Sequence, residues 1–203
     1  NEELEFINKY FYTKLPKYDF NTFGFREKLW LYKSHLWFSF LCQDFLQSYK
    51  YARKWVDLFK EDKKHITQHP VFYLKGINNL LEACFFVKKV STFKDELTSF
   101  ENAVAQNVIP SNTNTELLIF QYLYANKLHL HFLEANFSEG EYLVTIINEK
   151  IENYKSRLDS HYVVMLYYKI ACLYFGMGNN KLCITYLQKI IKSKNLSSAE
   201  DLQ

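Results

Sequence analysis

Two pairs of histidines lie close enough in sequence to share a metal ion, His129 with His131 and His65 with His69. Residues two apart on a helix diverge by about 200°, so His129 and His131 cannot grip one ion. His65 and His69 stand at i and i+4, a chelating distance on a helix, but Lys63, Lys64 and Pro70 around them predict a solvated loop. No nucleophile is set beside a base, for the chain has no G-x-S-x-G, no glycine-rich phosphate loop and no H-E-x-x-H. Gly176-Met177-Gly178 brings two glycines together, and it reads as a turn with a glycine in the left-handed conformation. Carboxylates such as Glu149 and Glu152 are dispersed as on a solvated helix face rather than paired for acid/base work. The expectation is no catalytic residue, no metal site and no cofactor, hence not an enzyme.

Charge excludes further classes. The 25 Lys and Arg stand against 22 Asp and Glu, a net charge of +3 too small and too evenly spread to imply nucleic acid or an anionic membrane. Lysines do cluster at Lys60 with Lys63 and Lys64, at Lys88 with Lys89, and at Lys189 with Lys192 and Lys194. Each cluster falls near an expected helix C-terminus, where cations offset the macrodipole. Apolar stretches stay near ten residues, against the ~20 needed to cross a bilayer. Cys42, Cys84, Cys172 and Cys183 form no C-x-x-C pair and sit in apolar patterns, as reduced core cysteines do. These features, with no signal-peptide pattern after Asn1, give a cytoplasmic chain as the expectation.

The elements that position all these residues are helices. Only 5 Gly and 3 Pro in 203 residues leave little room for the turns of a sandwich or barrel. Aromatic or Asn positions after polar breaks, at Tyr49, Phe93, Phe137 and Asn180, are separated by 44, 44 and 43 residues. This spacing predicts a repeated helix pair. The first helices, A, are expected over 25–46, 71–90, 115–134 and 160–177, and the second, B, over 49–61, 93–107, 137–154 and 180–194. With a leading helix at 2–13 they make nine, in one domain with units at about 25–61, 71–107, 115–154 and 160–194. Breaks such as Gln47-Ser48 and Ser91-Thr92 force each pair into an antiparallel hairpin. Thr113 to Glu116 reads as a capping box, Asn136 with Glu139 as a cap, and Pro70 as a first-turn proline.

In the last unit Tyr167, Ile170, Ala171, Tyr174, Gly178, Cys183, Leu187 and Ile190 carry large, aliphatic, small, aromatic and glycine residues at the spacings of the tetratricopeptide repeat. The chain resembles that family, most clearly over residues 164–195. Tyr124, Leu128, Phe137, Gly140 and Val144 keep the pattern in the third unit, where Lys127 and His131 depart from it. Leu36, Phe40, Tyr49, Ala52 and Val56 fit in the first, and Leu80, Cys84, Phe93, Phe100 and Ala103 in the second, with Glu96 where a small residue belongs. The family's unit has 34 residues, so units of 43 to 44 are long. The resemblance implies an all-α, right-handed superhelical array of antiparallel helix pairs, an α-solenoid.

The resemblance also implies a concave groove lined by the A helices. Its candidate residues here are Trp37, Leu41, Leu81, Phe85, Lys88, Asn126, His129, Phe132, Tyr168, Lys169 and Phe175. Of the family's clamp on a terminal carboxylate only Asn126 and Lys169 are matched, since the first-repeat positions hold Trp37 and Leu41. A groove so short of charge suits an amphipathic helix or peptide. The alternative is that Phe6, Ile7, Tyr10 and Phe11 of the leading helix fill it. The expected function is a non-catalytic scaffold for a protein or peptide partner, with no nucleic acid and no membrane. The runner-up is the effector-binding part of a larger signalling or regulatory protein, and the third choice an enzyme with an unfamiliar site inside the concave groove. Ile184, Leu187, Ile190 and Ile191 give the last helix an apolar face, and Ser197 with Glu200 reads as the cap of a further helix. The protein is therefore expected to continue past Gln203, or to cover that face by self-association through the terminal helices.

Overall fold

The computed structural model describes residues 2–15, 22–154 and 157–197, and they are helical throughout, with no strand among them. Ten α-helices follow one another: α1 (Glu2–Lys14), α2 (Phe25–Leu41), α3 (Phe45–Glu61), α4 (Lys64–Gln68), α5 (Pro70–Phe86), α6 (Val90–Ala105), α7 (Thr113–Glu134), α8 (Tyr142–Asn153), α9 (Ser160–Gly176) and α10 (Asn180–Ser197). A 3-10 turn at Phe137–Gly140 precedes α8. The tenth α-helix is α4, in the stretch expected to be a loop. Asp62 starts it by accepting from the Lys64 amide at 3.0 Å, and the Thr67 hydroxyl donates to the Lys64 carbonyl at 2.8 Å. The chain divides into two compact units, Asn1–Lys89 and Val90–Gln203.

Each long A helix ends in the same backbone turn. Gln43, Lys88, Ala135 and Gly178 adopt positive φ, between 52° and 74° together with Asn107 at the end of α6. In each A-helix turn the following amide reaches back five residues: Asp44 to Ser39 O at 2.9 Å, Lys89 to Cys84 O at 2.9 Å, Asn136 to His131 O at 3.2 Å and Asn179 to Tyr174 O at 2.9 Å. This is the Schellman arrangement, which satisfies carbonyls that the helix leaves open and reverses the chain. B segments then begin two residues past the left-handed residue, at Phe45, Val90, Phe137 and Asn180.

The first two breaks therefore lie three to five residues earlier than expected, at 42–44 and 87–89. Asp44 decides the first, because its carboxylate caps α3 by accepting from the Gln47 amide at 3.0 Å. The turn residues are separated by 45, 47 and 43 residues, less even than the 44, 44 and 43 of the aromatic positions. The third unit's caps shift too. Asn112, not Thr113, opens α7: its side chain accepts from the Asn114 and Thr115 amides at 3.0 Å, while Thr115 Oγ1 accepts from the Asn112 amide at 2.9 Å. Asn136 caps no helix, and its amide donates instead to Glu134 and Glu139. At the far end, α10 runs through Ser197, so Ser197 does not open a helix; residues 198–203 lie outside the described residues.

Counting from the left-handed residue exposes a shared frame. Positions −11, −8, −7, −4, +5, +9 and +12 are Tyr32, His35, Leu36, Ser39, Ser48, Ala52 and Trp55 in the first repeat, and all are buried. In the second they are Ile77, Leu80, Leu81, Cys84, Phe93, Leu97 and Phe100, again all buried. The third keeps Leu128, Gly140, Val144 and Ile147 buried and the fourth Ile170, Ala171 and Tyr174. Leu187, at +9 of the last helix, is exposed.

In the first unit α3 packs against both α2 and α5. Gly76 permits the second contact, since a Cβ there would stand 2.8 Å from the Trp55 ring. The second unit is centred on Phe120, Leu128, Leu143, Ile147, Leu166, Ile170 and Leu173 from α7, α8 and α9, with Tyr186 of α10 packed on them. Gly176 serves close approach rather than a turn, because a Cβ there would meet the Phe137 ring at 2.5 Å. Cys84 is buried, the other three cysteines are half-buried, and all four are free.

The two kinds of glycine respond differently to substitution. Gly178→Ala meets open space and loses only backbone freedom at positive φ, so it is expected to cost about 1 kcal/mol, while Ala135→Gly gains a similar amount. Gly76→Ala is expected to cost about 1–3 kcal/mol by overpacking against Trp55, despite the better helix propensity of Ala. Urea unfolding of the three variants measures all of these.

Candidate functional site

The expected groove residues divide between the two units. In the first, aromatic rings of α2 and α5 meet near both ends of the helices. Trp30 meets Phe72 edge-on with centroids 5.7 Å apart, and Phe40 meets Phe86 at 6.5 Å. Phe86 stacks in turn on Phe45 at 4.5 Å. Trp37 and Leu41 stand on the outer side of α2, exposed by 54% and 79%. Phe85 is half-buried and Lys88 exposed, the latter as the left-handed residue itself. Leu81 does not line a face, because it is fully buried at position −7 of the packing frame. Trp30, Lys33, Trp37 and Phe40 share one side of α2 at helical spacing.

The leading helix leaves this side of α2 uncovered. Phe11 alone of its four apolar candidates docks, stacking on Phe38 at 3.9 Å and meeting the His35 ring at 5.4 Å. Phe6, Ile7 and Tyr10 are exposed, Phe6 by 69%. His35 is sandwiched on its other side by Tyr51 at 4.5 Å. Burial and the nearby Lys54 ammonium hold its pKa below the ordinary value.

The second unit brings three of the candidates together. Asn126 and His129 lie one turn apart on α7, and Lys169 reaches His129 from α9. The Lys169 ammonium donates to His129 Nε2, so the imidazole proton sits on Nδ1. Burial first, and the Lys169 charge second, depress the His129 pKa from 6.5 to about 3. The imidazole is thus a fixed neutral acceptor that orients a half-buried cation. Asn126 is fully buried and donates to the Tyr122 carbonyl at 2.8 Å. Asn126 is enclosed and His129 nearly so, and it is His129 that contacts Lys169. Phe132 is half-buried beside His129, at 6.1 Å between ring centroids. Tyr168 and Phe175 stand exposed on α9, Phe175 by 70%, and the neighbouring Cys172 thiol raises the Tyr168 pKa.

The remaining histidines serve packing. His131 pairs with the Asn136 side chain at 2.8 Å in the A-to-B turn, away from His129. His65 stacks on Phe25 at 3.7 Å, and His69 lies 6.2 Å from it, ring over ring. Among the described residues no group of three or more His, Cys, Asp or Glu is placed to hold a metal. No described helix is long and apolar enough to cross a membrane.

A histidine whose pKa is depressed in the folded chain adds stability above pH 6.5 that is lost as pH falls toward 3. Acidification over that window is expected to destabilise the wild type by up to several kcal/mol through this group, and a His129→Gln variant is expected to show a shallower loss. Urea unfolding of both proteins at stepped pH checks the difference. Equal slopes would remove His129 from the account. No protein-family model, no curated protein and no solved structure matches this chain, which leaves the geometry of its own helix faces as the ground for a function.

Proposed function

We propose that this chain is a tetratricopeptide-like repeat scaffold, a right-handed array of helix pairs that binds a protein or peptide along its A helices and catalyses no reaction. The observation that carries this is the frame counted from the left-handed residues. The same seven offsets are buried in full in two repeats and in part in the other two. Such periodic burial is what stacked helix pairs produce, and it consumes one side of each A helix in packing. The other side then carries large apolar residues in water: Trp37 and Leu41 on α2, Tyr168 and Phe175 on α9. Scattered apolar residues are ordinary on a surface, but exposed aromatics repeated on A helices suit a partner that buries them. In the second unit Lys169, oriented by His129, supplies a polar anchor on the helix that carries Tyr168 and Phe175.

Large aromatic anchors dominate interfaces of this kind, and truncating one costs about 2 kcal/mol or more. Peptides selected against the wild-type protein from a displayed random library are expected to bind Trp37→Ala or Phe175→Ala at least tenfold more weakly. Circular dichroism verifies that the variants fold. Unchanged affinity for both folded variants, or a library from which no peptide is enriched, would reject the proposal.

A further inference from the structure

At the start of α2 and α5 a pocket of about 270 Å³ is lined by Phe25, Arg26, Leu29, Trp30, His69 and Phe72. It lies within the first unit and apart from the exposed aromatics assigned above to a protein partner. Four of its lining side chains carry aromatic rings, Phe25, Trp30, His69 and Phe72, and Trp30 and Phe72 are set edge to face at 5.7 Å. Phe25 is held rigid by the rings around it, edge-on to Phe59 at 5.2 Å and stacked on His65 at 3.7 Å. The volume lies below the ~300 Å³ at which pockets for drug-sized ligands begin, and suits a planar group of one or two rings.

The polar groups narrow the ligand further. No carboxylate lines the pocket, whereas the Arg26 guanidinium does. Lys33 holds its ammonium 4.4 Å from the centroid of Trp30. An aromatic box of this sort would otherwise welcome a cation. Here a bound cation would face Arg26 and Lys33 with no opposite charge in the lining. A neutral ring would fill the apolar walls but shield Arg26 from water without pairing it, which costs free energy. A ring bearing a carboxylate satisfies both, with the ring against the apolar walls and the carboxylate on the guanidinium fork.

We propose that this pocket is a binding site for a small aromatic carboxylate, taken up by ring stacking and an ion pair to Arg26. Indole-3-acetate is the probe and indole-3-acetamide its neutral control, with titration calorimetry and ligand-observed NMR on the full chain. The acid is expected to bind the wild type at least tenfold more tightly than the amide. Arg26→Gln, at an exposed position, should erase that preference and leave the weak ring binding in place. Phe72→Ala should weaken acid and amide alike, and circular dichroism confirms that each variant is folded. The proposal is overturned if the acid fails to bind at millimolar concentration. It is equally overturned if acid and amide bind alike to the wild type, or if Arg26→Gln leaves the preference intact.

Discussion

One left-handed residue at the end of each A helix sets the geometry on which the rest depends. A long helix leaves its last four carbonyls open, and the Schellman turn satisfies part of them with the amides that follow. Once Gln43, Lys88, Ala135 or Gly178 takes that conformation, the start of the next segment is determined to the residue. The side of the A helix that can pack is determined with it. Three of the four are not glycine, so a backbone preference of about 1 kcal/mol is overridden at each by the hydrogen bonds and packing of the turn.

Packing then distributes a large aromatic content, 18% of the residues, between cores and faces. Trp55, Phe59, Phe93, Phe100 and Phe120 are fully buried. Glycine supplies the room that such rings need between helices, Gly76 beneath Trp55 and Gly176 beside Phe137. Across the second unit the Asn148 amide donates to the Tyr186 hydroxyl at 2.7 Å, tying α8 to α10. Lys127 of α7 pairs with Glu101 of α6 at 2.6 Å. Lys127 is half-buried, so its stem covers apolar surface while its ammonium finds that carboxylate.

In the polar constellation on α7 and α9, the Asn126 amide donates to the Tyr122 carbonyl and His129 Nε2 accepts from Lys169. Burial keeps His129 neutral, and a neutral imidazole is a hydrogen-bond acceptor for Lys169 where a charged one would repel it. Lys169 is thereby held in one place instead of sweeping the surface on four flexible bonds. The aromatics of α2 and α9 are the apolar counterpart. They stay in water because the repeat frame commits the opposite side of their helices to packing.

Helical class, the approximate extent of every long helix, the first-turn Pro70 and the left-handed Gly178 were legible in the sequence, since each rests on local signals: apolar period, a fixed proline φ, a glycine after a helix. The turns at Gln43, Lys88 and Ala135 were not, because nothing in those residue types favours positive φ. Their register shifted Leu81 from an expected face into the core. The aromatic spacing suggested the helix pair, while which aromatic is core and which is face depended on turn position to within a residue, as 100° per residue on a helix requires. The candidate site was legible in its parts only. Asn126, His129 and Lys169 were marked by their types, but their separation of about 40 residues in the chain carries no information on distance. Only tertiary packing of α9 on α7 decided that the lysine meets the imidazole, and only burial decided that the imidazole stays neutral.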